Sequence, residues 1–220
     1  MTHQAEESAQ GSPARSAGLP AGLSFWPGHL DRTAQEALLR DLRHVAAAAP
    51  FRRQRTPGGR PMSVRTTACG AVGWISGPRG YGYASRQPSG APWPPIPGAL
   101  REMWQALLPG APAPDSALLN LYRGAARMGL HQDRDEADLT QPVLSISLGD
   151  DALFRVGGLT RDAATRSFWL RSGDVIALSG PARMVFHGID RLRPGTSRLL
   201  EGGGRLNVTL RVALSALRPS

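Results

Sequence analysis

The sequence contains no lysine. All 26 of its strongly basic side chains are arginine, and against 17 acidic residues they leave a formal charge of +9. Such a balance favours anionic partners, above all a nucleic-acid backbone. A GC-rich genome would produce the same arginine bias, and the abundance of Ala, Gly and Pro fits that reading equally. One cysteine, Cys69, is present, which excludes an internal disulfide framework and a Cys-based zinc site and points to the reducing cytoplasm. No apolar run approaches the roughly 18 residues of a membrane span. The opening Met1-Thr2-His3-Gln4 has neither the basic start nor the apolar stretch of a secretory signal. Internal repeats are absent too.

What is there suits a folded enzyme-sized unit. A chain of 220 residues with 41% hydrophobic content is long enough for one domain with a substantial core. Residues 1–22 are rich in Ser, Ala, Gly and Pro without hydrophobic period and read as a disordered tail; 215–220 read as a short C-terminal tail. A helix is predicted over 33–48, where Thr33 and Glu36 form a capping-box pattern and Leu38, Leu42 and Val45 recur at helical spacing. A second helix is predicted over 98–108, around Leu100, Trp104 and Leu107. The intervening 51–97, crowded with Gly, Pro, Arg and aromatics, reads as a lid, with Gly80-Tyr81-Gly82-Tyr83 as turn chemistry and a short strand at 63–67. From residue 116 the pattern changes to short alternating strands, at 117–123, 143–149, 152–156, 167–170, 174–178, 182–187 and 205–213. About seven short strands in about 100 residues argue for a sandwich, barrel or jelly roll. The expected organisation is therefore a region of helices and lid over 23–115 packed on a β core over 116–214.

Three places carry chemistry. In His131-Gln132-Asp133 an imidazole and a carboxylate share one face of an extended segment. His187, ending the run Met184-Val185-Phe186, could bring a second imidazole from a neighbouring strand, completing the two-His, one-carboxylate set of non-haem iron(II) oxygenases. His-x-Asp triplets also arise by chance, so the pattern needs support. The stretch Arg205-Leu206-Asn207-Val208-Thr209-Leu210-Arg211 alternates strictly, with the apolar residues on one face and Arg205, Asn207, Thr209 and Arg211 on the other. It is either a half-buried strand with a wet outer face or a row of donors for a dicarboxylate, which an arginine fork holds at two points. Asn120 and Tyr122 share one face of a third strand; they are ordinary edge groups unless that strand pairs near the last one.

These elements resemble the AlkB family. The match lies in Asn120-Leu121-Tyr122, Leu130-His131-Gln132-Asp133-Arg134-Asp135-Glu136, Ser145-Ile146-Ser147-Leu148-Gly149, Gly157-Gly158-Leu159, His187-Gly188-Ile189 and Arg205-x-Asn207-x-Thr209-x-Arg211. Upstream, Pro50-Phe51-Arg52, Thr56-Pro57-Gly58-Gly59, Met62-Ser63 and Gly73-Trp74 add to it, so that the similarity runs over 25–213. The resemblance implies a mainly β fold (α+β), a double-stranded β-helix or jelly roll with flanking helices and an N-terminal nucleotide-recognition lid. It implies Fe(II) held by His131, Asp133 and His187, and 2-oxoglutarate bound by Asn120, Tyr122, Arg205, Asn207 and Arg211. It implies oxidative demethylation by O2 of bases such as 1-methyladenine and 3-methylcytosine, with release of formaldehyde, succinate and carbon dioxide. Alkylated single- or double-stranded DNA is the implied partner, with RNA as a further substrate; no membrane and a monomer are expected. By the same resemblance Trp74 stacks on the extruded base, Tyr81 and Tyr83 lie near its sugar and phosphate, and Asp135 and Arg161 make further substrate contacts. Arg60, Arg65, Ala71, Gly82 and Arg134 depart from the bacterial pattern, so the resemblance speaks to the chemistry more than to substrate preference. A dioxygenase acting on a protein or small molecule is the alternative within that chemistry.

Overall fold

Strict alternation on the last strand decides how the molecule is layered. In the computed structural model, which describes residues 18–78 and 80–214, both faces of that strand are buried. Leu206, Val208 and Leu210 face one hydrophobic cluster, while Arg205, Asn207, Thr209 and Arg211 are each 1–7% exposed on the other side. The strand is thus central in a sheet covered on both faces, and the wet outer face allowed by the pattern does not exist.

The elements run in the order β1 (Leu23–Trp26), α1 (Arg32–Ala48), β2 (Arg65–Gly70), β3 (Gly73–Gly77), β4 (Gly80–Ala84), α2 (Gly98–Leu107), β5 (Ser116–Tyr122), β6 (Met128–His131), β7 (Val143–Gly149), β8 (Asp151–Val156), β9 (Arg166–Leu170), β10 (Val175–Leu178), β11 (His187–Arg193) and β12 (Arg205–Arg211). Strands β5 to β12 cross back and forth between two antiparallel sheets. The larger is ordered β1-β10-β7-β12-β5-β2 and the smaller β6-β11-β8-β9. This is the double-stranded β-helix expected from the sequence. Beyond it, β1 and β2 add to the edges of the larger sheet, and β3 and β4 form a separate hairpin.

Two clusters make the core. One lies between the helices and the outer face of the larger sheet, with Leu38, Leu42, Leu100 and Trp104 against Ala117, Leu119, Ile146 and Val208. The other lies between the sheets, with Phe154, Val156, Leu170, Ile176, Leu178 and Ile189. Cys69 belongs to the first cluster, and burial pushes its thiol up to about 12. Among the described residues no helix is long and apolar enough to cross a membrane.

Several expectations are corrected. Helix α1 is capped by Asp31, whose carboxylate accepts from the Ala34 amide at 2.8 Å, rather than by a Thr33–Glu36 box. Asp31 has the extended backbone a cap needs, and Glu36 instead pairs with Arg32 one turn away at 2.6 Å. Residues 182–187 are not a strand. Gly180–Ala182 form a 3-10 turn with proline at its start, and the chain becomes extended only at His187, continuing to Arg193. The buried Arg183 side chain ties this turn to the Gln141 and Asp133 carbonyls at 2.6 Å each. Gly80-Tyr81-Gly82-Tyr83 is not a turn but β4, paired with β3 so that Tyr83 lies opposite Trp74; its period of two is that of a strand. The short strand expected at 63–67 runs instead over Arg65–Gly70 as β2, and β1 and β6 were not anticipated. Residues 1–17 of the expected N-terminal tail, and 215–220, lie outside the described residues.

The connection into β12 is held by Asp150 together with Arg123, which donates to the Glu201 and Gly203 carbonyls. Asp150 is 3% exposed and accepts from the amides of Ser197 at 3.1 Å and Gly204 at 2.8 Å, which delivers Arg205 into the sheet. Gly204, at φ +86, passes so close to the Tyr122 carbonyl that no side chain fits there. Replacing Asp150→Ala leaves both amides without their acceptor and is expected to cost about 2–4 kcal/mol. Urea denaturation checks this as a lowered midpoint with an unchanged slope; a loss well under 1 kcal/mol would show that the loop is held by other means.

Candidate metal centre and anion slot

β6 and β11 are neighbours in the smaller sheet, and their register sets His131 opposite His187. Asp133 follows two residues after His131 as the chain leaves the strand. The three side chains converge, with one ligand atom from each lying within 4.8 Å of the others. Nε2 of His131 is 3.7 Å from one Asp133 carboxylate oxygen, and Nε2 of His187 is 3.8 Å from the other. Each imidazole has its Nδ1 against a backbone carbonyl two residues earlier, His131 on Gly129 at 3.0 Å and His187 on Val185 at 3.1 Å. That bond places the ring proton on Nδ1 and leaves the Nε2 lone pair for a metal.

The electrostatics suit a cation. Burial draws His187 down to about 4, the nearby His131 adding to this and Asp133 opposing it, so the ring is neutral at pH 7 and its lone pair is free without loss of a proton. Burial alone would push the Asp133 carboxyl up. Arg211, His187 and His131 outweigh it and hold the group well below the usual carboxylate range. Two imidazoles, that of His187 neutral, and an ionised carboxylate on one side of a cavity fit an iron(II) ion with coordination positions to spare.

β12 lies between β5 and β7, with Arg205 opposite Tyr122 and Asn207 opposite Asn120 and Ser147. The condition for Asn120 and Tyr122 to join the arginine row is therefore met. They line one cavity of about 500 Å3 together with Arg205, Asn207, Arg211 and the His131–Asp133–His187 group. The far end of this cavity is short of partners. Arg205 is 1% exposed and donates through Nη2 to the Ser147 hydroxyl at 2.8 Å, but its Nε and Nη1 have no hydrogen-bond partner. The Tyr122 hydroxyl reaches only the Met128 sulfur at 3.7 Å, and the Asn120 side-chain oxygen, an acceptor, is without a donor. Among the described residues Arg205 forms no ion pair. Buried donors and a buried cation in this state call for an anionic ligand, and a carboxylate at the end of a short diacid fits them.

Other members of the row are already engaged. Asn207 donates to the Ser145 hydroxyl at 2.7 Å and the Ile146 carbonyl at 3.0 Å, and accepts from Thr209 at 3.1 Å. Arg211 lies 2.8 Å from an Asp133 oxygen, so its guanidinium serves the triad as well as lining the slot. Thr209 was named only as a member of the polar row, and Ser145 and Ser147 only as part of the family match, without a role of their own. Their signal was the alternation of Ser145-Ile146-Ser147, which sets both hydroxyls on the face that meets the arginine row.

The residues expected at the substrate end separate into two groups. Trp74, Tyr81, Asp135 and Arg161 line the cavity. Trp74 stacks with Tyr81 at 5.3 Å between ring centroids and 22° between planes, so that one face of the indole is covered. Its Nε1 donates to Asp135 at 2.8 Å. Arg161 donates to the Leu130 carbonyl at 2.7 Å and lies 5.0 Å over the Phe186 ring. Tyr83 does not line the cavity; its hydroxyl turns inward and donates to Glu136 at 2.6 Å. Glu136 and Arg183 are buried polar residues that sequence reasoning passed over.

Residues 22–211 match the profile of the 2OG-Fe(II) oxygenase superfamily. The chain is 56% identical over 196 residues to the alpha-ketoglutarate-dependent dioxygenase AlkB homolog of Caulobacter vibrioides, spanning 89% of each chain. It is 32% identical over 125 residues to the nucleic acid dioxygenase ALKBH1 of Homo sapiens, spanning 55% of this chain and 32% of that one. Among solved structures, that of OsALKBH1 superposes with a TM-score of 0.75 at 29% identity, covering 88% of this chain and 97% of the other. The ordered strands, the convergent triad and these likenesses agree, and the chain belongs to the AlkB family of iron(II)- and 2-oxoglutarate-dependent dioxygenases within that superfamily.

Proposed function

We propose that this enzyme removes methyl and other small alkyl groups from damaged bases of DNA, and of RNA as well, by oxidation. The observation that carries the reading is that one cavity is lined at once by the triad, by Arg205, which has no ion pair among the described residues, and by the Trp74–Asp135 pair. In this reading His131, Asp133 and His187 hold the iron, and Asn120, Tyr122, Arg205, Asn207 and Arg211 surround 2-oxoglutarate. Bound there, the metal and cosubstrate supply the oxidation by O2 that converts an N-alkyl group into one lost as an aldehyde, formaldehyde from methyl, with succinate and carbon dioxide as the other products.

The chain's own residues bind, orient and shield. A guanidinium held in a dry slot receives a carboxylate at two points and fixes the far end of the diacid. The Trp74 and Tyr81 rings offer an apolar and π-rich wall to a base swung out of its stack, a step whose cost is lowest where damage already prevents pairing. Bases such as 1-methyladenine and 3-methylcytosine carry positive charge and present an exocyclic N–H. The Asp135 carboxylate beside Trp74 would accept that hydrogen bond and favour the cation over its neutral parent. The arginine-only basic complement supports a phosphate backbone as the partner. All residues of the site come from one chain, which supports action as a monomer, and the single buried thiol supports a cytoplasmic location.

Three outcomes are expected. A methylated single-stranded oligonucleotide incubated with the protein, iron(II), ascorbate and 2-oxoglutarate should lose about 14 mass units per lesion, one CH2. His131→Ala should abolish this while leaving the fold intact; methylated peptides turned over in place of the oligonucleotide would overturn the substrate class. Arg205→Lys, which replaces a fork by a point charge, should raise the KM for 2-oxoglutarate about 10- to 100-fold, in steady-state assays at saturating oligonucleotide. An unchanged KM would place the diacid elsewhere. Asp135→Asn should lower the preference for cationic over neutral lesions about tenfold in competition assays, and an unaltered preference would remove Asp135 from base recognition.

A further inference from the structure

Glu136 is accounted for by neither the triad nor the anion slot, yet it is 7% exposed and surrounded by charge. Its Oε2 accepts from Arg183 Nη2 at 3.0 Å. Its Oε1 accepts from the Tyr83 hydroxyl at 2.6 Å and lies 3.1 Å from Arg211 Nε, an ion pair off the N–H axis rather than a directed hydrogen bond. Arg211 Nη2 in turn lies 2.8 Å from Asp133 Oδ1, and Arg183 Nη1 donates to the Asp133 backbone carbonyl at 2.6 Å. The contacts close on themselves, from the Asp133 side chain through Arg211, Glu136 and Arg183 to the Asp133 main chain. Asp133 is thereby gripped at both ends.

We propose that Glu136 is a positioning residue, which with Arg183 and Arg211 closes a ring of four buried charges that aims the Asp133 carboxylate at the two imidazoles, and that Tyr83 keys the β3–β4 hairpin to this ring. The inference rests on reading His131, Asp133 and His187 as the metal ligands. Stability alone is a poor reason for such a ring. Four charges taken out of water cost several kcal/mol each, and well-packed apolar residues of like volume generally stabilise a fold as well or better. What the ring supplies is direction. A carboxylate on a flexible loop has free rotation about two bonds; here Arg211 pins one oxygen and Arg183 pins the peptide that carries it, both referred to the same Glu136. Tyr83 donates to Oε1 through a hydroxyl that stays protonated, because burial, with help from Glu136 against the pull of Arg211, pushes its pKa far above the ordinary range. Trp74, opposite Tyr83 in the hairpin, binds the adjacent Asp135, so the two aromatic donors of the hairpin both grip the segment that leads away from Asp133.

The test uses Mn2+ as the probe in the absence of O2 and nucleic acid. Binding to the purified full chain is followed by the electron paramagnetic resonance of the free ion and expressed per folded molecule. Glu136→Gln keeps the shape and removes the charge, and is expected to raise the Mn2+ dissociation constant about 10- to 100-fold, as loss of an outer partner of a metal ligand does. Tyr83→Phe removes one hydrogen bond at the edge of the ring and is expected to raise it about 2- to 10-fold. A role confined to stability would lower the thermal midpoint but leave the affinity of the folded fraction where it was. Dissociation constants within twofold of the unaltered protein in both variants would overturn the proposal, and if Glu136→Gln does not fold, Tyr83→Phe decides by the same criterion. His131→Ala serves as the control for location. If the unaltered protein binds no Mn2+, or binds it undiminished in His131→Ala, the metal-site reading itself fails and this inference with it.

Discussion

A guanidinium sealed between two sheets without a carboxylate of its own is the constraint around which the structure is organised. Arg205 is 1% exposed and forms no ion pair among the described residues. Burial pulls its pKa down, and only the neighbouring Tyr122 offsets this. An unpaired buried charge costs several kcal/mol, and a protein whose net stability is about 5–15 kcal/mol can carry one only where a ligand relieves it. The site is therefore built to be completed by an anion, and the position of that anion follows from the strand that carries the arginine.

From this position the remainder follows in order. Because β12 is central, its polar row must be matched on both sides, and Asn120 and Tyr122 on β5 and Ser145 and Ser147 on β7 provide the match. Arg211, three strand periods from Arg205, points from the same face and meets Asp133. One strand thus reaches both ends of the cavity, the guanidinium of Arg205 and the carboxylate of Asp133, while the smaller sheet contributes His131 and His187 through the pairing of β6 with β11. The larger sheet, buried on both faces at β12, carries the arginine row, and the smaller sheet, half-exposed on its outer face, carries the two imidazoles. A two-stranded hairpin, outside both sheets, contributes the aromatic groups of the substrate end.

Much of this was legible in the sequence, for reasons that differ from element to element. The strict alternation of residues 205–211 revealed a strand with two chemically distinct faces, but a period of two cannot tell a wet face from a buried polar one. That decision lies in the second sheet, which long-range pairing brings over it. His131 and Asp133 were visible through their spacing; His187 was visible only as a residue at the end of an apolar run, and the run itself was misread as a strand. Val185 packs in the core between the sheets and Phe186 lines the cavity beneath Arg161, and apolar character alone does not distinguish such a run from a strand. Glu136 and Arg183 were invisible for a simpler reason. Charged residues in a loop read as solvated, and nothing local reports that Asp133 and Glu136 meet Arg183 and Arg211 from two distant segments. Tyr83 was expected beside the nucleotide only through the family resemblance, in a segment that read as a turn rather than a strand. Of its two tyrosines the inner one reaches Glu136 and only the outer one lines the cavity.

The central claim is that the triad and Arg205 grip opposite ends of one five-carbon diacid. Anaerobic titration of the iron(II)-loaded protein tests it directly, by comparing 2-oxoglutarate with 2-oxobutyrate, which keeps the keto-acid end and lacks the distal carboxylate. The account predicts that 2-oxoglutarate binds at least about tenfold more tightly, as a two-point guanidinium–carboxylate contact requires, and that the difference collapses in Arg205→Lys. Equal affinities for the two ligands would contradict it.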